Sequence, residues 1–282
     1  MLYIGCPLWS YKEWVGDFFP ARTRAADFLR LYSRQLSTVE GNTVFYALPS
    51  AAVIERWRQE TPDDFRFCPK VLRDISHVAR LDAGSPLVRL FVERMRGLGE
   101  RLGPIFLQLP PSFAPERFEE LRVFLQHWPA DVRLAVEVRH PGFFEEPYES
   151  ELQALLQQHR MARVLMDTRP IRVGSASEQQ TLQARERKPD LPLRMVATTD
   201  FVFVRYIGHP RMEENLPFFE QWAQQLAHWY EQKLTLYVFC HCPFEVHSPS
   251  LCAELYHRVG ELVPLPPLST RQAPKIEQQR LF

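Results

Sequence analysis

Short apolar runs alternate with longer amphipathic stretches along most of the chain, and this alternation restricts the fold more than any other feature of the sequence. The runs are "LYIGC" at the start, "TVEGN" near 38, "FRFCPK" near 65, "PIFLQLP" near 104, "RLAVEVRH" near 133, "RVLMDTR" near 163, "FVFVRYIG" near 201 and "LTLYVFCHC" near 234. Helical patterns lie between them over 25–36, 51–59, 86–98, 116–127, 149–159, 216–230 and 249–263. Strands separated by helices imply a parallel sheet with right-handed crossovers. About eight such units close into a (β/α)8 barrel of TIM type, and the pattern predicts an α/β barrel over residues 1–263. An open doubly wound sheet is the competing arrangement, but no G-x-G-x-x-G follows the first run, which weakens a dinucleotide-binding version. Walker A and G-x-S-x-G sequences are also missing.

Two segments break the rhythm. Between the sixth and seventh runs, "PIRVGSASEQQTLQARERKPDLPLRMVATTD" is long, polar and basic in its middle. A segment that follows a barrel strand emerges at the catalytic mouth, so this one is a candidate lid. The other is the proline-rich stretch 264–274, which opens a tail over 264–282 that is expected to be extended.

The 34 basic and 34 acidic residues balance to zero formal charge, which argues against a coat of positive charge for wrapping nucleic acid but leaves room for a local basic site. Five of the basic residues are lysine. The arginine excess reads as compositional bias away from the strand ends, and as bidentate anion recognition at them. No signal-peptide pattern and no run of ~18 apolar residues is present, so the expectation is a cytoplasmic protein without a membrane span. Five scattered cysteines, an odd number, point to reduced thiols rather than a disulfide framework.

Parallel strands covered on both faces normally read as uninterrupted apolar runs. Here their C-terminal ends carry Glu40 and Asn42, Lys70, Gln108, Glu137 and Arg139, Asp167 and Arg169, Arg205, and His241. Period-two alternation puts Glu40 with Asn42, Glu137 with Arg139, and Asp167 with Arg169 on common strand faces. If those faces point inward, the groups converge at the barrel mouth. One such pair could be a structural ion pair, but repetition at many strand ends favours a site, because burying unpaired charge costs several kcal/mol that Val or Ile would avoid. Lys70, Arg139 and Arg205 suit an anionic group such as phosphate. Glu40, Glu137 and Asp167 suit general acid/base work or oxygen ligation of a divalent metal. The spacing Glu137-x-Arg139 leans towards pairing and a metal-free site.

"CHCPFEVH" suggests zinc only weakly, because Cys240 and Cys242 share one strand face and no second C-x-x-C or H-x-x-x-H accompanies them. His77 and His209 each follow a strand by a few residues and suit either the mouth or a solvated loop. Trp9, Trp14, Phe18, Phe19, Phe45 and Tyr46 concentrate in the first two strand-to-helix loops. They are either ordinary packing or a stacking wall for a base or sugar ring, with Trp9 the leading ligand contact.

The stretches "IGCPLWSYKEWVGDFFP", "STVEGNTVFYALPS", "TPDDFRFCPKVLRDISH", "IFLQLPPSF", "LAVEVRHPGFF" and "FVRYIGH" resemble, in order, the motifs of the YecE-like family, a domain of unknown function with a TIM-barrel fold. The resemblance covers roughly residues 1–260. It implies the barrel and no particular activity. The family's motif positions fall on Glu40, Asn42, Tyr46, Lys70, His77, Gln108, Glu137, Arg139 and Arg205. The chain departs from the broader pattern at "GCPLW", where "GTSGW" is common, and at "FCHC", where asparagines are common, and so looks like the YecE subgroup.

The chain ends in Gln278-Gln279-Arg280-Leu281-Phe282, which fits Q-x-x-L-F, a pattern like the pentapeptide that docks bacterial repair proteins on the sliding clamp. Leu281 and Phe282 would fill an apolar pocket, Gln278 would bond backbone groups, and the extended tether would supply reach. The competing reading folds the tail onto the barrel's own surface. Together these readings lead to an acid/base or hydrolytic enzyme on a phosphate-bearing substrate, DNA included, with no assigned cofactor. The alternatives are an aldolase- or isomerase-like reaction on a sugar phosphate with Lys70 as nucleophile, and a noncatalytic nucleotide- or nucleic-acid-binding protein.

Overall fold

The computed structural model describes residues 1–77, 80–173 and 179–268. The strands are β1 (Leu2–Cys6), β2 (Thr38–Gly41), β3 (Arg66–Pro69), β4 (Ile105–Gln108), β5 (Leu134–Glu137), β6 (Ala162–Asp167), β7 (Phe201–Ile207) and β8 (Thr235–His241). The α-helices are α1 (Phe28–Gln35), α2 (Ala51–Glu60), α3 (Arg73–Ser76), α4 (Pro86–Arg96), α5 (Phe118–Gln126), α6 (Tyr148–Gln158), α7 (Gln179–Arg187), α8 (Leu216–Glu231) and α9 (Ser248–Leu262). All strand pairs are parallel, and their order runs β3-β2-β1-β8-β7-β6-β5-β4. The gap between β3 and β4 is crossed by the bridges Phe67 to Leu102 and Lys70 to Phe106, with Val71 N–H donating to Phe106 O at 2.9 Å. The result is a nearly closed TIM-like barrel, as the strand alternation predicts.

The sheet separates two apolar cores. A small one fills the lumen with Tyr3, Cys68, Phe106, Ala135, Val164, Phe203, Tyr237 and Phe239 among others. Its rings stack, Tyr3 on Tyr237 at 5.0 Å and Phe106 on Phe203 at 5.3 Å. The larger core lies between strands and helices. Side chains of a strand alternate between the two, so membership in the lumen core fixes the face of every neighbour in register. Gly5 is required where β1 meets β2: a Cβ there would lie 1.8 Å from Thr38 O.

The predicted helices form with small shifts at their ends, three of them entered directly through a 3-10 turn at Ala25–Asp27, Pro115–Arg117 and Glu245–His247. Two further helices have no counterpart in the sequence reading. One is the single turn α3. The other is α7, which gives the long β6–β7 segment structure of its own and is held by Arg185, whose guanidinium donates to Ile171 O and Val173 O. Residues 174–178 of that segment lie outside the described residues. At the other end of the chain, Pro264–Pro267 leave α9 without regular structure, and Tyr256 Oη donates to Pro266 O at 2.7 Å. Among the described residues no helix is long and apolar enough to cross a membrane.

Candidate active site

A polar layer rests on the lumen's aromatic plug at the C-terminal ends of the strands. Arg205 sits at its centre, its guanidinium carbon 4.8 Å from the Phe106 ring centroid. The residue is 3% exposed. Nε and one terminal nitrogen donate to the two oxygens of Glu40, at 2.8 and 2.9 Å, and the other terminal nitrogen donates to Glu137 Oε2 at 2.6 Å. Bidentate pairing of this kind is what a planar guanidinium does best.

Further donors complete both carboxylates. Glu40 accepts from Asn42 Nδ2 at 2.8 Å and from His241 Nε2 at 3.0 Å. Glu137 accepts from Gln108 Nε2 at 2.8 Å. Burial is the largest single influence and disfavours the charged form of each, but the charge and hydrogen bonds of Arg205, added to His241 at Glu40 and to Arg139 at Glu137, together outweigh it, so both carboxyls lie below the usual range. Burial lowers His241 to about 4, which makes it a neutral imidazole donating to ionised Glu40.

Lys70 belongs to the same layer and is held differently. Its Nζ donates to the neutral amide oxygen of Gln108 at 2.7 Å and lies 4.0 Å from the centroid of Phe45. Among the described residues it makes no ion pair. Burial, and then the charge of Arg205, lowers its pKa to about 8.

Above this floor opens a cavity of about 620 Å³. Its walls include Lys70, Gln108, Arg139 and His241 from the expected set, with Trp9, Asn42 and Tyr46 from the first two loops. Arg139 Nε is 2.9 Å from Glu137 Oε1 but angled away from it, without a hydrogen bond. His77 stands behind the wall, edge-on to Phe45 with ring centroids 5.0 Å apart and Nδ1 2.9 Å from Ser76 Oγ. His209 is buried in the loop after β7, where its Nδ1 accepts from Arg211 N–H at 3.1 Å, and it does not line the mouth.

Asp167 requires a correction. The strand-end pattern places it at the mouth beside Arg169, but β6 ends at Asp167 and Arg169 lies past it in helical conformation, its guanidinium donating back to Asp167 at 2.8 and 2.9 Å. The Asp167 side chain points outward: its Oδ2 also accepts from Trp222 Nε1 of α8 at 2.8 Å. The lumen side of β6 is taken by Ala162 and Val164, which leaves Asp167 to fasten the strand to a helix. Cys240 and Cys242 likewise pack in the outer core, and Cys6 and Cys252 approach each other there at 3.8 Å between sulfurs. Among the described residues no three His, Cys, Asp or Glu side chains are arranged to hold a metal ion.

Three charged residues of the mouth escape the sequence reading. Arg187 and Lys188 reach the cavity from the end of α7, and burial with the charges of Arg205 and Arg139 lowers Lys188 to about 8. Glu245, after β8, also lines the cavity, accepts from Ser248 Oγ at 2.6 Å, and is raised by burial to about 7. The only sequence signal for the first two was the basic middle of the β6–β7 segment.

A deep, partly charged cavity at the C-terminal mouth of a barrel is where enzymes of this fold work. Residues 3–276 match the family model described as "Protein of unknown function DUF72", and the chain belongs to that family. It is 38% identical over 265 residues to the UPF0759 protein YecE of Escherichia coli K12, covering 94% of each chain. The UPF0759 protein YunF of Bacillus subtilis is 25% identical over 183 residues, covering 62% of this chain and 64% of that one. Among solved structures, a DUF72 family protein from Thermotoga maritima superposes with a TM-score of 0.69 at 20% identity, covering 93% of this chain and 99% of the other. One from Enterococcus faecalis gives 0.70 at 16% identity, covering 97% and 100%. These two likenesses establish the shared barrel.

Proposed function

We propose that the mouth is the active centre of an acid/base enzyme acting on a small phosphate-bearing carbonyl compound, with Lys70 as the reacting amine. The observation that carries this reading is the asymmetry of charge compensation: Arg205 occupies both buried carboxylates, and Lys70 is left on a neutral amide. An amine so placed is half unprotonated at about pH 8, and the unprotonated fraction already present near neutral pH is nucleophilic. Its lone pair would add to the carbonyl carbon, the carbonyl oxygen would leave as water after taking up one proton from the amine nitrogen and one from solvent, and an iminium would remain on Nζ. Arg139, Arg187 and Lys188 supply positive charge for the phosphate. Hydrolysis with Glu40 and Glu137 as acid and base, DNA substrates included, fits less well, since each carboxylate is held ionised by several donors.

The test is borohydride reduction in the presence of glyceraldehyde 3-phosphate or ribose 5-phosphate, followed by peptide mapping. The reading expects a phosphorylated adduct on Lys70 far faster than on Lys12 or Lys233. An adduct pattern that follows solvent exposure alone would sink it. The terminal Gln278, Leu281 and Phe282 lie outside the described residues. For them we propose sliding-clamp docking on the strength of the Q-x-x-L-F match, to be checked by surface plasmon resonance with Leu281→Ala/Phe282→Ala. Equal binding of both forms, or none by the intact chain, would remove the proposal.

A further inference from the structure

The aromatic residues of the first two loops divide into two groups. Trp14 and Phe19 are buried and packed on each other, Trp14 also on Tyr32 and Phe19 on Phe28, and account for the packing expectation. Trp9 and Tyr46 line the cavity instead. The Trp9 indole is braced at 5.1 Å by Trp57 and at 6.1 Å by Phe67, both nearly perpendicular to it. Its orientation is therefore fixed by the core. Tyr46 is 79% exposed, and among the described residues its one ring neighbour is Phe45, nearly perpendicular with centroids 5.0 Å apart. A fixed ring and an open ring on one wall leave apolar surface in water that protein packing does not require.

The cations lie elsewhere around the rim. Trp9 follows β1 and Tyr46 follows β2, while Arg139 follows β5 and Lys188 comes from the segment between β6 and β7. In the strand order these positions are about half a circuit apart. Lys188 makes no ion pair among the described residues, its backbone carbonyl is anchored by Arg172 at 2.7 Å, and Arg139 Nε lacks a hydrogen bond. The cavity between the two walls, about 620 Å³, lies within the range of roughly 300–1,000 Å³ usual for small-ligand sites.

We propose that this mouth takes a nucleotide-like ligand, a flat ring and a phosphate in one molecule, with the ring against Trp9 and Tyr46 and the phosphate against Arg139 and Lys188. The inference rests on the phosphate-binding part of the proposed function, not on its carbonyl step, and adds the ring. Stacking is tolerant of ring identity, because every base has a π face, so a common nucleotide suffices as a probe. The chain's zero net charge favours a free nucleotide over a polyanionic strand.

Isothermal titration calorimetry of the full chain with adenosine monophosphate, glycerol 3-phosphate and adenosine tests it. Adenosine monophosphate should bind roughly tenfold or more tighter than either fragment, since one stacked base contributes that much. Tyr46→Ala, a change at an exposed side chain, should bring it down to the affinity of glycerol 3-phosphate and leave glycerol 3-phosphate itself unchanged. Trp9→Ala should do the same, with circular dichroism confirming that it folds. Lys188→Ala should weaken both phosphates. Equal affinity for adenosine monophosphate and glycerol 3-phosphate overturns the ring slot and leaves the phosphate-binding mouth standing. Equal affinity for adenosine and its phosphate overturns the anion half, and failure of both phosphates to bind overturns the inference together with the reading beneath it.

Discussion

Arg205 and Lys70 lie in one polar layer, above the same Phe106 ring, and the protein treats their charges in opposite ways. Arg205 is enclosed by Glu40 and Glu137, and its pKa is raised because their charges outweigh its burial. Lys70 has an amide and a phenyl ring for company, and burial depresses it. The first arrangement joins β2, β5 and β7 through one guanidinium, and β8 through His241 on Glu40. It spends its charge on architecture. The second leaves a cation that gains by meeting an anion or by losing its proton, and Lys188 repeats that condition at the rim. Compensated charge marks the floor that holds the mouth open, and uncompensated charge marks the groups available to a ligand.

The largest effect that would break this comparison comes from the floor. Arg205→Met strands two buried carboxylates, and removal of one partner from a buried ion pair costs about 3–5 kcal/mol. Urea unfolding should show a loss of that size, with the remaining stability recovered in part by the double change Glu40→Gln/Glu137→Gln. A loss within experimental error would mean that the cluster does not hold the barrel. Asp167→Asn comes next. It weakens the link from β6 to Trp222 and Arg169, and should cost about 1–3 kcal/mol as a buried hydrogen-bonded charge is lost. Binding of glycerol 3-phosphate should not change, because Asp167 faces the helices; a weakened affinity would return it to the site. At the rim, Lys188→Ala should lower inorganic phosphate affinity by about tenfold, or ~1.4 kcal/mol, with an unchanged melting temperature. A falling melting temperature with intact affinity would make Lys188 structural.

The strands and the lumen side of the site were legible because period two is a property of sequence. Glu40, Gln108, Glu137, Arg205 and His241 interrupt apolar runs at the ends of strands, and that is where the layer lies. Asp167 interrupts a run in the same way yet faces outward. In "ARVLMD" both faces of β6 are apolar enough that parity does not say which one meets the lumen, and only Ala162 and Val164 in the inner core decide it. Pairing was legible within a strand and not between strands. Glu137 and Arg139 are two residues apart, but the stronger partner, Arg205, is 68 residues away in sequence. Lys188 and Glu245 sit in segments without a repeat, where no period assigns a direction to a side chain.

The smallest expected effect concerns stability at Lys70, and its sign is the most informative. In the folded protein its pKa is about 8, against an ordinary value of 10.5. Below about pH 8 both states carry the proton, and the folded state bears the cost of burying it. Between the folded value and the ordinary one the unfolded chain binds more protons, so this group makes stability rise as pH increases. Lys70→Met removes that contribution, keeps the volume, and leaves Gln108 Oε1 without its donor. Near neutral pH the relief of burying a charge offsets the lost hydrogen bond, and the net change should stay within about 1 kcal/mol. As pH is raised from about 7 to about 10, urea unfolding of the wild type should gain more stability than the variant does, by an amount on the order of 1–3 kcal/mol. Arg205, whose charge persists throughout, should contribute no such slope. Parallel curves for wild type and Lys70→Met would mean that the amine keeps its ordinary pKa in the fold. In that case the contrast between the two cations would have no consequence for reactivity, and Lys70 would bind anions as a fixed charge beside Arg139.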